Sequence, residues 1–138
     1  RMSNVLAGIG RGQMEVLQDR VDARRSNFEY YIEHLSGIPG ITFAMEPKGS
    51  YSNRWLTCIL TPSFEDRERI RKALENENIE SRPLWKPMHA QPVFEDVISY
   101  VNGVSEALFE KGLCLPSGSS LMEEDLERVC NIIKKELR

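Results

Sequence analysis

The sequence predicts a single α/β domain in which a small sheet of about three to four strands is covered mainly on one face by helices. Three observations support this prediction. The 138 residues, 41% of them apolar, are enough to bury one core. Short β-rich runs alternate along the chain with segments of helical periodicity. The last segment repeats apolar residues on one helical face, which another element has to cover.

The chain begins with a long predicted helix that extends from Ser3 to about Leu35. Apolar residues recur within it at helical spacing, and Gly37 and Pro39 end it. Charged residues interrupt the apolar stripe at positions 22–25. We therefore expect a packing surface near each end with a solvated middle, or a bend there. Such a helix is typical of a connector between domains.

Two short strands are predicted next, at residues 41–43 and 54–61, with a turn-forming stretch between them. Ser63 and Asp66 then match a capping box. This pattern predicts a surface helix that includes residues 65–77.

The middle of the chain contains three closely spaced prolines. Residues 79–81 predict a further strand, and Pro83, Pro87 and Pro92 exclude regular ladder pairing beyond it. An extended loop is the expected result.

Three elements complete the predicted domain. They are a helix from about Val97 to Lys111, a short strand at 113–115, and a last helix. The apolar face of the last helix consists of Leu126, Val129, Cys130, Ile133 and Leu137.

Composition narrows the possible partners. A net charge of −3 argues against a nucleic-acid partner, because proteins that bind nucleic acid normally contact its phosphates with an excess of Lys and Arg. No apolar run is long enough to span a membrane, and the first residues do not resemble a signal peptide, which predicts a cytoplasmic protein. The odd number of cysteines, Cys58, Cys114 and Cys130, favours buried free thiols over a metal site or a disulfide framework.

Gly8, Gly10 and Gly12 form a glycine-rich segment that could suggest a phosphate-binding loop. A dinucleotide fingerprint needs a preceding strand and a third glycine at position 13, where this chain has Gln13. Glycine inside a helix is destabilising by about 1 kcal/mol relative to Ala. The three glycines are therefore interpreted as marking close approach of another element, such as a missing domain or subunit.

A second candidate site is the proline-rich loop at residues 81–94. It carries the cations Arg82, Lys86 and His89 beside the indole of Trp85, a combination that suits a nucleotide diphosphate. The alternative is an ordinary surface loop with Trp85 and Phe94 in the core. The residues alone leave both interpretations open.

Three segments, in the right order, resemble the DegT/DnrJ/StrS family of sugar aminotransferases. Residues 1–13 are similar to the pattern Asn-Tyr-Arg-Met-x-x-x-x-Ala-Ala-x-Gly-x-x-Gln, entered after its Asn-Tyr. Residues 82–92 resemble Arg-Pro-x-x-x-Pro-x-His-x-Gln-Pro, and 109–129 resemble the closing strand and helix. The chain departs from the family at Gly8, where a second Ala is usual, and at Met122, where a capping Ser or Thr is common. Ser120 with Glu123 is an alternative cap.

The resemblance implies a fold-type I enzyme of which residues 1–138 are the small C-terminal domain. The large domain, with its Schiff-base lysine for pyridoxal phosphate, would be absent, so the chain alone is expected to be inactive. Its first residue, Arg1, agrees with a piece of a longer protein. The family's reaction moves an amino group from glutamate to a nucleotide-linked keto sugar, for cell-surface polysaccharide or related sugars, in a homodimer.

By the same resemblance, Arg1 and His89 belong to the rim of the active site, where family members reach the nucleotide sugar of the neighbouring subunit. Arg82, Trp85 and Lys86 are added as substrate-binding residues because they lie in the same loop. Arg82 could instead pair with a carboxylate of the adjacent helix. No catalytic residue or metal ligand is predicted, and the proline-flanked Lys86 lacks the enclosed pocket of a Schiff-base lysine. The alternative function is a stand-alone α/β binding or protein-interaction module.

Overall fold

The computed structural model describes residues 2–137 and confirms the α/β class. Within that range the chain forms five α-helices and four short strands, and two 3₁₀ turns lie at Met88–Ala90 and Pro92–Phe94. The helices are α1 (Asn4–Glu15), α2 (Leu17–Leu35), α3 (Phe64–Asn76), α4 (Val104–Lys111) and α5 (Glu123–Glu136), and the strands are β1 (Thr42–Phe43), β2 (Thr57–Leu60), β3 (Arg82–Pro83) and β4 (Gly112–Leu115).

The predicted long N-terminal helix is two helices. The break falls at Val16, with φ −112° and ψ 7°. The prediction of a bend at the charged residues 22–25 was wrong, because these residues lie within α2. Arg24 and Arg25 donate hydrogen bonds to backbone carbonyls of the loop before β2. Helix α1 buries no residue, so only the C-terminal part of the apolar stripe is covered, through residues such as Phe28 and Tyr31 of α2.

The four strands form one antiparallel sheet in the order β1-β2-β4-β3. The predicted strand at 79–81 was misplaced, since the strand is Arg82–Pro83. Leu84 N–H donates to the Gly112 carbonyl at 3.1 Å. By alternation, the nitrogen of Pro83 faces the open edge, where its missing N–H costs no ladder bond. An edge position therefore permits the proline that the sequence pattern had placed outside the strand.

The core lies between the sheet and three helices. Ile59, Leu113 and Leu115 from the two central strands are at most 2% exposed. They share one apolar cluster with residues of α2, α3 and α5. The predicted face of the last helix is confirmed by the burial of Leu126, Val129, Cys130 and Ile133, and Leu137 packs against the cluster while half-buried.

Local capping signals explain where several helices start. Ser63 Oγ accepts the Asp66 N–H at 3.1 Å, as the capping box predicted. Helix α4 begins at Val104 rather than Val97, because Gly103 has a left-handed backbone with φ +81°. Helix α5 begins after Met122, whose N–H is accepted by the Asp125 carboxylate at 3.0 Å, and the cap proposed for Ser120 is not used.

Candidate functional site

The loop that leaves the edge strand β3 carries the predicted substrate-binding residues. Arg82 is in the strand itself, and its exposed guanidinium binds the Glu80 carboxylate, with Nε 2.8 Å from Oε1. The expected alternative partner, a carboxylate of the adjacent helix, was therefore wrong, since Glu80 precedes the strand. An exposed pair of this kind is weak, about 0 to 1 kcal/mol. Arg82 can exchange this partner for an anionic ligand.

Trp85 lies on the surface and contacts a second tryptophan that the sequence interpretation had missed. The indoles of Trp85 and Trp55 are 66% and 59% exposed, and their ring centroids lie 6.0 Å apart with planes tilted by 36°. The alternative that placed Trp85 in the core was wrong. Trp55 precedes β2, and only the sheet brings it next to β3, so no local signal in the sequence links the two rings.

Contacts of the neighbouring backbone hold Trp55 in place. Arg24 of α2 donates to the Trp55 carbonyl at 2.7 Å. The preceding residue, Arg54, is 7% exposed, and its guanidinium lies 3.6 Å from the ring centroid of Phe28. The backbone is thus held on both sides of Trp55, by the buried Arg54 before it and by the hydrogen bond to its own carbonyl after it.

Next to the two indoles is an open cavity of about 340 Å³. Its lining includes Arg82, Trp85, Trp55, Ser81 and Cys114. The Ser81 hydroxyl is buried and has no hydrogen-bond partner within residues 2–137. The cavity thus presents aromatic surface and the Arg82–Glu80 ion pair to a bound molecule.

His89 lies apart from this cavity, in the first 3₁₀ turn. Its Nε2 is 2.6 Å from Oε1 of Glu106 in α4. Ser105 Oγ donates to Oε2 of the same carboxylate at 3.1 Å. The pKa of Glu106 is lowered, first by its own backbone amide and then by hydrogen bonds from His89 and Ser105. The sequence interpretation had missed Glu106, which is 17 residues from its partner.

A second, apolar cavity of about 230 Å³ lies beside His89. It is lined by Met88, His89, Phe94, Val97, Ile98 and Ser99.

The remaining predicted residues are Lys86 and Arg1, and Lys86 does not line the cavity that contains Arg82 and Trp85 in the described structure. Lys86 is exposed and forms no ion pair within the described part of the chain, while its carbonyl accepts a hydrogen bond from Gln91 at 3.1 Å. Arg1 lies outside the described residues. The structure therefore brings Arg82 and Trp85 into one cavity, and places Lys86 and His89 farther along the same loop.

The described residues do not fit a covalently bound pyridoxal phosphate. A Schiff-base lysine needs a desolvated pocket, but every lysine in residues 2–137 is exposed except Lys134, which is half-buried. The same residues contain no group of three or more side chains that could hold a metal ion. They also include no helix that is long and apolar enough to cross a membrane.

Comparison with known proteins gives consistent matches over the whole chain. The model of the DegT/DnrJ/EryC1/StrS aminotransferase family matches residues 1–134. EpsN of Bacillus subtilis, provisionally named as a pyridoxal phosphate-dependent aminotransferase, is 42% identical over 137 residues and covers 96% of this chain. A GDP-perosamine synthase of Vibrio cholerae is 34% identical over 137 residues and covers 97%.

Solved structures agree with this. The aminotransferase TlmJ of Streptoalloteichus hindustanus superimposes with a TM-score of 0.87 at 25% identity, over 96% of this chain and 36% of its own. The chain spans 35% of the length of EpsN and 37% of the Vibrio cholerae enzyme.

Proposed function

The chain belongs to the DegT/DnrJ/EryC1/StrS aminotransferase family, and from this membership we propose that it is the small C-terminal domain of a sugar aminotransferase. In this proposal, residues outside the chain form the large domain and hold pyridoxal phosphate, which supplies the electron sink for amino transfer. The enzyme moves an amino group from glutamate to a nucleotide-linked keto sugar. It works in the cytoplasm as a homodimer, in the synthesis of cell-surface polysaccharide or related sugars.

The loop from Arg82 to His89 is proposed to bind the nucleotide sugar rather than to carry out the chemistry. The observation that supports this role is its exposed cationic and aromatic surface, with Arg82, Trp85 and Lys86 all exposed. A guanidinium and an ammonium stabilise phosphate oxygens, and an indole provides a flat apolar surface. The loop is fixed at β3 and again at the His89–Glu106 contact. Its donors are thus positioned before the substrate arrives.

Helix α1 is proposed to pack against the large domain or a neighbouring subunit. Its apolar residues Val5, Leu6 and Ile9 are between 58% and 73% exposed. No atom of another described element lies within 4 Å of the position that a Cβ would take at Gly8, Gly10 or Gly12. An apolar stripe that includes small residues allows another backbone to approach closely.

The test compares binding with catalysis in the enzyme that contains this chain. Arg82→Ala and His89→Ala should raise KM for the nucleotide sugar more than they lower kcat, because binding shared by ground and transition states acts on KM. Each lost charge-assisted contact should cost about 1.5 to 3 kcal/mol, or roughly ten- to a hundredfold in affinity. The half-reaction with glutamate, followed by cofactor absorbance, should barely change.

Arg128→Ala is the matched control, because Arg128 is an exposed arginine on α5 that pairs with Glu77 away from the loop. It should leave both half-reactions unchanged. If Arg82→Ala or His89→Ala instead stops cofactor conversion with glutamate, the loop takes part in the chemistry and the binding role is wrong.

A further inference from the structure

Cys58 and Cys114 face each other across the two central strands of the sheet. They are direct partners in the β2–β4 register, their Sγ atoms are 3.7 Å apart, and both are free thiols. The third cysteine, Cys130, is 1% exposed and belongs to the core cluster beneath the helices. The pair thus differs from Cys130 in both position and surroundings.

The backbone at this pair has a geometry that accepts a cross-strand disulfide. Thr61 N–H donates to the Lys111 carbonyl at 2.9 Å, so odd-numbered residues of β2 point their backbone groups toward β4. Ala44 N–H donates to the Cys58 carbonyl at 3.3 Å, which places the backbone of Cys58 toward β1. Cys58 and Cys114 are therefore a non-hydrogen-bonded pair, whose Cα atoms lie about 4.5 Å apart. Disulfides join Cα atoms roughly 4.4 to 6.8 Å apart.

The two thiols differ in exposure and in acidity. Cys58 is half-buried, whereas Cys114 is 7% exposed and lines the open cavity beside Trp55 and Trp85. The hydrogen bond between the two thiols lowers the pKa of Cys58 and, together with burial, raises the pKa of Cys114, while burial raises the pKa of Cys130 to about 11. Since the thiolate is the nucleophile, Cys58 is the thiol best placed to react first.

We infer that Cys58 and Cys114 are a redox-modification site, which closes reversibly to a cross-strand disulfide on reaction with a low-molecular-weight disulfide. The Cys58 thiolate attacks one sulfur of that disulfide and expels a small thiolate, leaving a mixed disulfide. Cys114 then loses its proton to solvent, attacks the Cys58 sulfur and releases the second small thiolate. The two cysteines together lose two electrons and two protons, and the co-reactant is reduced to two thiols.

The site adjoins the proposed substrate loop but does not depend on it. Arg82 pairs with Cys114 in the β3–β4 register, so Arg82, Cys114 and Cys58 form one row across three strands. Closing the disulfide covalently joins β2 to β4, the strand on which Cys114 pairs with Arg82 of β3. The modification can therefore be tested on the chain without measuring amino transfer.

The experiment treats the native 138-residue chain with oxidised glutathione, blocks the remaining thiols, and maps the products by trypsin and mass spectrometry. Each cysteine falls in its own peptide, at residues 55–67, 112–128 and 129–134. The expected product is a link between the first two peptides, with the loss of two hydrogen atoms and no glutathione. Dithiothreitol should restore all three thiols.

Cys130→Ser is the matched control and should still form the link. Cys114→Ser should stop at the mixed disulfide and accumulate glutathione on Cys58. The inference is overturned if the native wild-type chain keeps both thiols free, carries separate glutathione adducts on them, or forms links that involve Cys130. Because the wild-type chain alone can give these results, the test does not depend on whether a variant folds.

Discussion

At the scale of single residues, Arg54 shows how a backbone conformation that is rare for a side-chain-bearing residue is maintained. Its φ of 48° lies in the left-handed region, which costs about 1 to 3 kcal/mol for a residue other than glycine. The guanidinium offsets this strain by lying over Phe28 and donating to the Ala44 carbonyl at 2.9 Å. The next residue is Trp55, so Arg54 fixes the direction in which this indole leaves the chain.

The contact between His89 and Glu106 gives a prediction for one ring hydrogen. Because an ionised carboxylate only accepts hydrogen bonds, the Nε2 of His89 must carry the hydrogen. NMR should detect a slowly exchanging Nε2–H in the wild-type chain and in Glu106→Gln, whose amide oxygen still accepts. Glu106→Ala should lose this signal.

The chain's other histidine, His34, is the internal control, because its Nδ1 contacts the Tyr30 carbonyl at 2.9 Å. Its signals should be the same in all three proteins. A His89 Nε2–H that exchanges equally fast in wild type and Glu106→Ala would contradict the contact.

Glu46 gives a prediction for acid stability. Hydrogen bonds from Arg25 and the Ser52 amide lower its pKa to about 2. Since the folded pKa is below the unfolded value of about 4.3, the carboxylate stabilises the fold above that value. This contribution is lost as the pH falls toward about 2.

Glu46→Gln should therefore destabilise the chain at pH 7, and its melting temperature should converge with that of wild type on acidification. Thermal melts followed by circular dichroism from pH 7 to pH 2 measure this. An equal difference in melting temperature at every pH would show that the charge of Glu46 is not responsible. Glu75→Gln is the control, since Glu75 is a largely exposed partner of Arg71 on α3.

At the scale of elements, the last helix is held by packing alone on its inner face. Ile133 is fully buried between the sheet and the neighbouring helices. Ile133→Asp should bury an unpaired charge and reduce the free energy of unfolding by roughly 3 to 5 kcal/mol, enough to unfold a marginally stable domain. Ile133→Val removes one methylene group and should cost about 0.5 to 1.5 kcal/mol.

Chemical denaturation measures both changes. Asn131→Asp is the control on the same helix, because Asn131 is exposed. Unchanged stability of Ile133→Asp would contradict the packing of α5.

The elements also differ in how well local sequence predicts them. Helices α3 and α5 follow from a capping serine or an apolar stripe, signals contained within about one helical turn. The position of β3 depends on pairing with β4, about 30 residues away along the chain, so Pro83 could be assigned to the strand only once the edge was known. The start of α4 depends on the left-handed backbone of Gly103, for which the helical pattern gave no signal.

The residues of the candidate site also differ in whether local sequence predicts them. The family resemblance pointed to His89, and Arg82 and Trp85 were predicted because they lie in the same proline-rich segment. Trp55, which contacts Trp85, and Glu106, which contacts His89, come from other elements, and only the tertiary fold brings them close.

At the scale of the whole molecule, the N-terminal helix contributes little to the stability of the domain. No residue of α1 is buried, and its main contacts are with α2. Removing residues 1–15 should change the free energy of unfolding by much less than about 1 kcal/mol. Because about 1 kcal/mol shifts the midpoint by about 2 to 8 °C, the melting temperature should stay within about 1 °C of that of the full chain. Differential scanning calorimetry of the two chains measures this.

Removing residues 123–138, which include α5, is the opposite control and should abolish the cooperative transition. A clear loss of stability on removing residues 1–15 would show that α1 is part of the domain core, and would weaken the proposal that it packs against another domain.

The edge position of β3 also affects how the domain behaves at high concentration. Open sheet edges recruit strands from other chains and so promote aggregation, which proteins limit with short edge strands and with proline. Both outer strands, β1 and β3, have only two residues. The outward face of β3 also lacks the donor that Pro83 would need to pair with an incoming strand. The loop after β3 can therefore extend into solvent while the strand next to it resists intermolecular β-pairing.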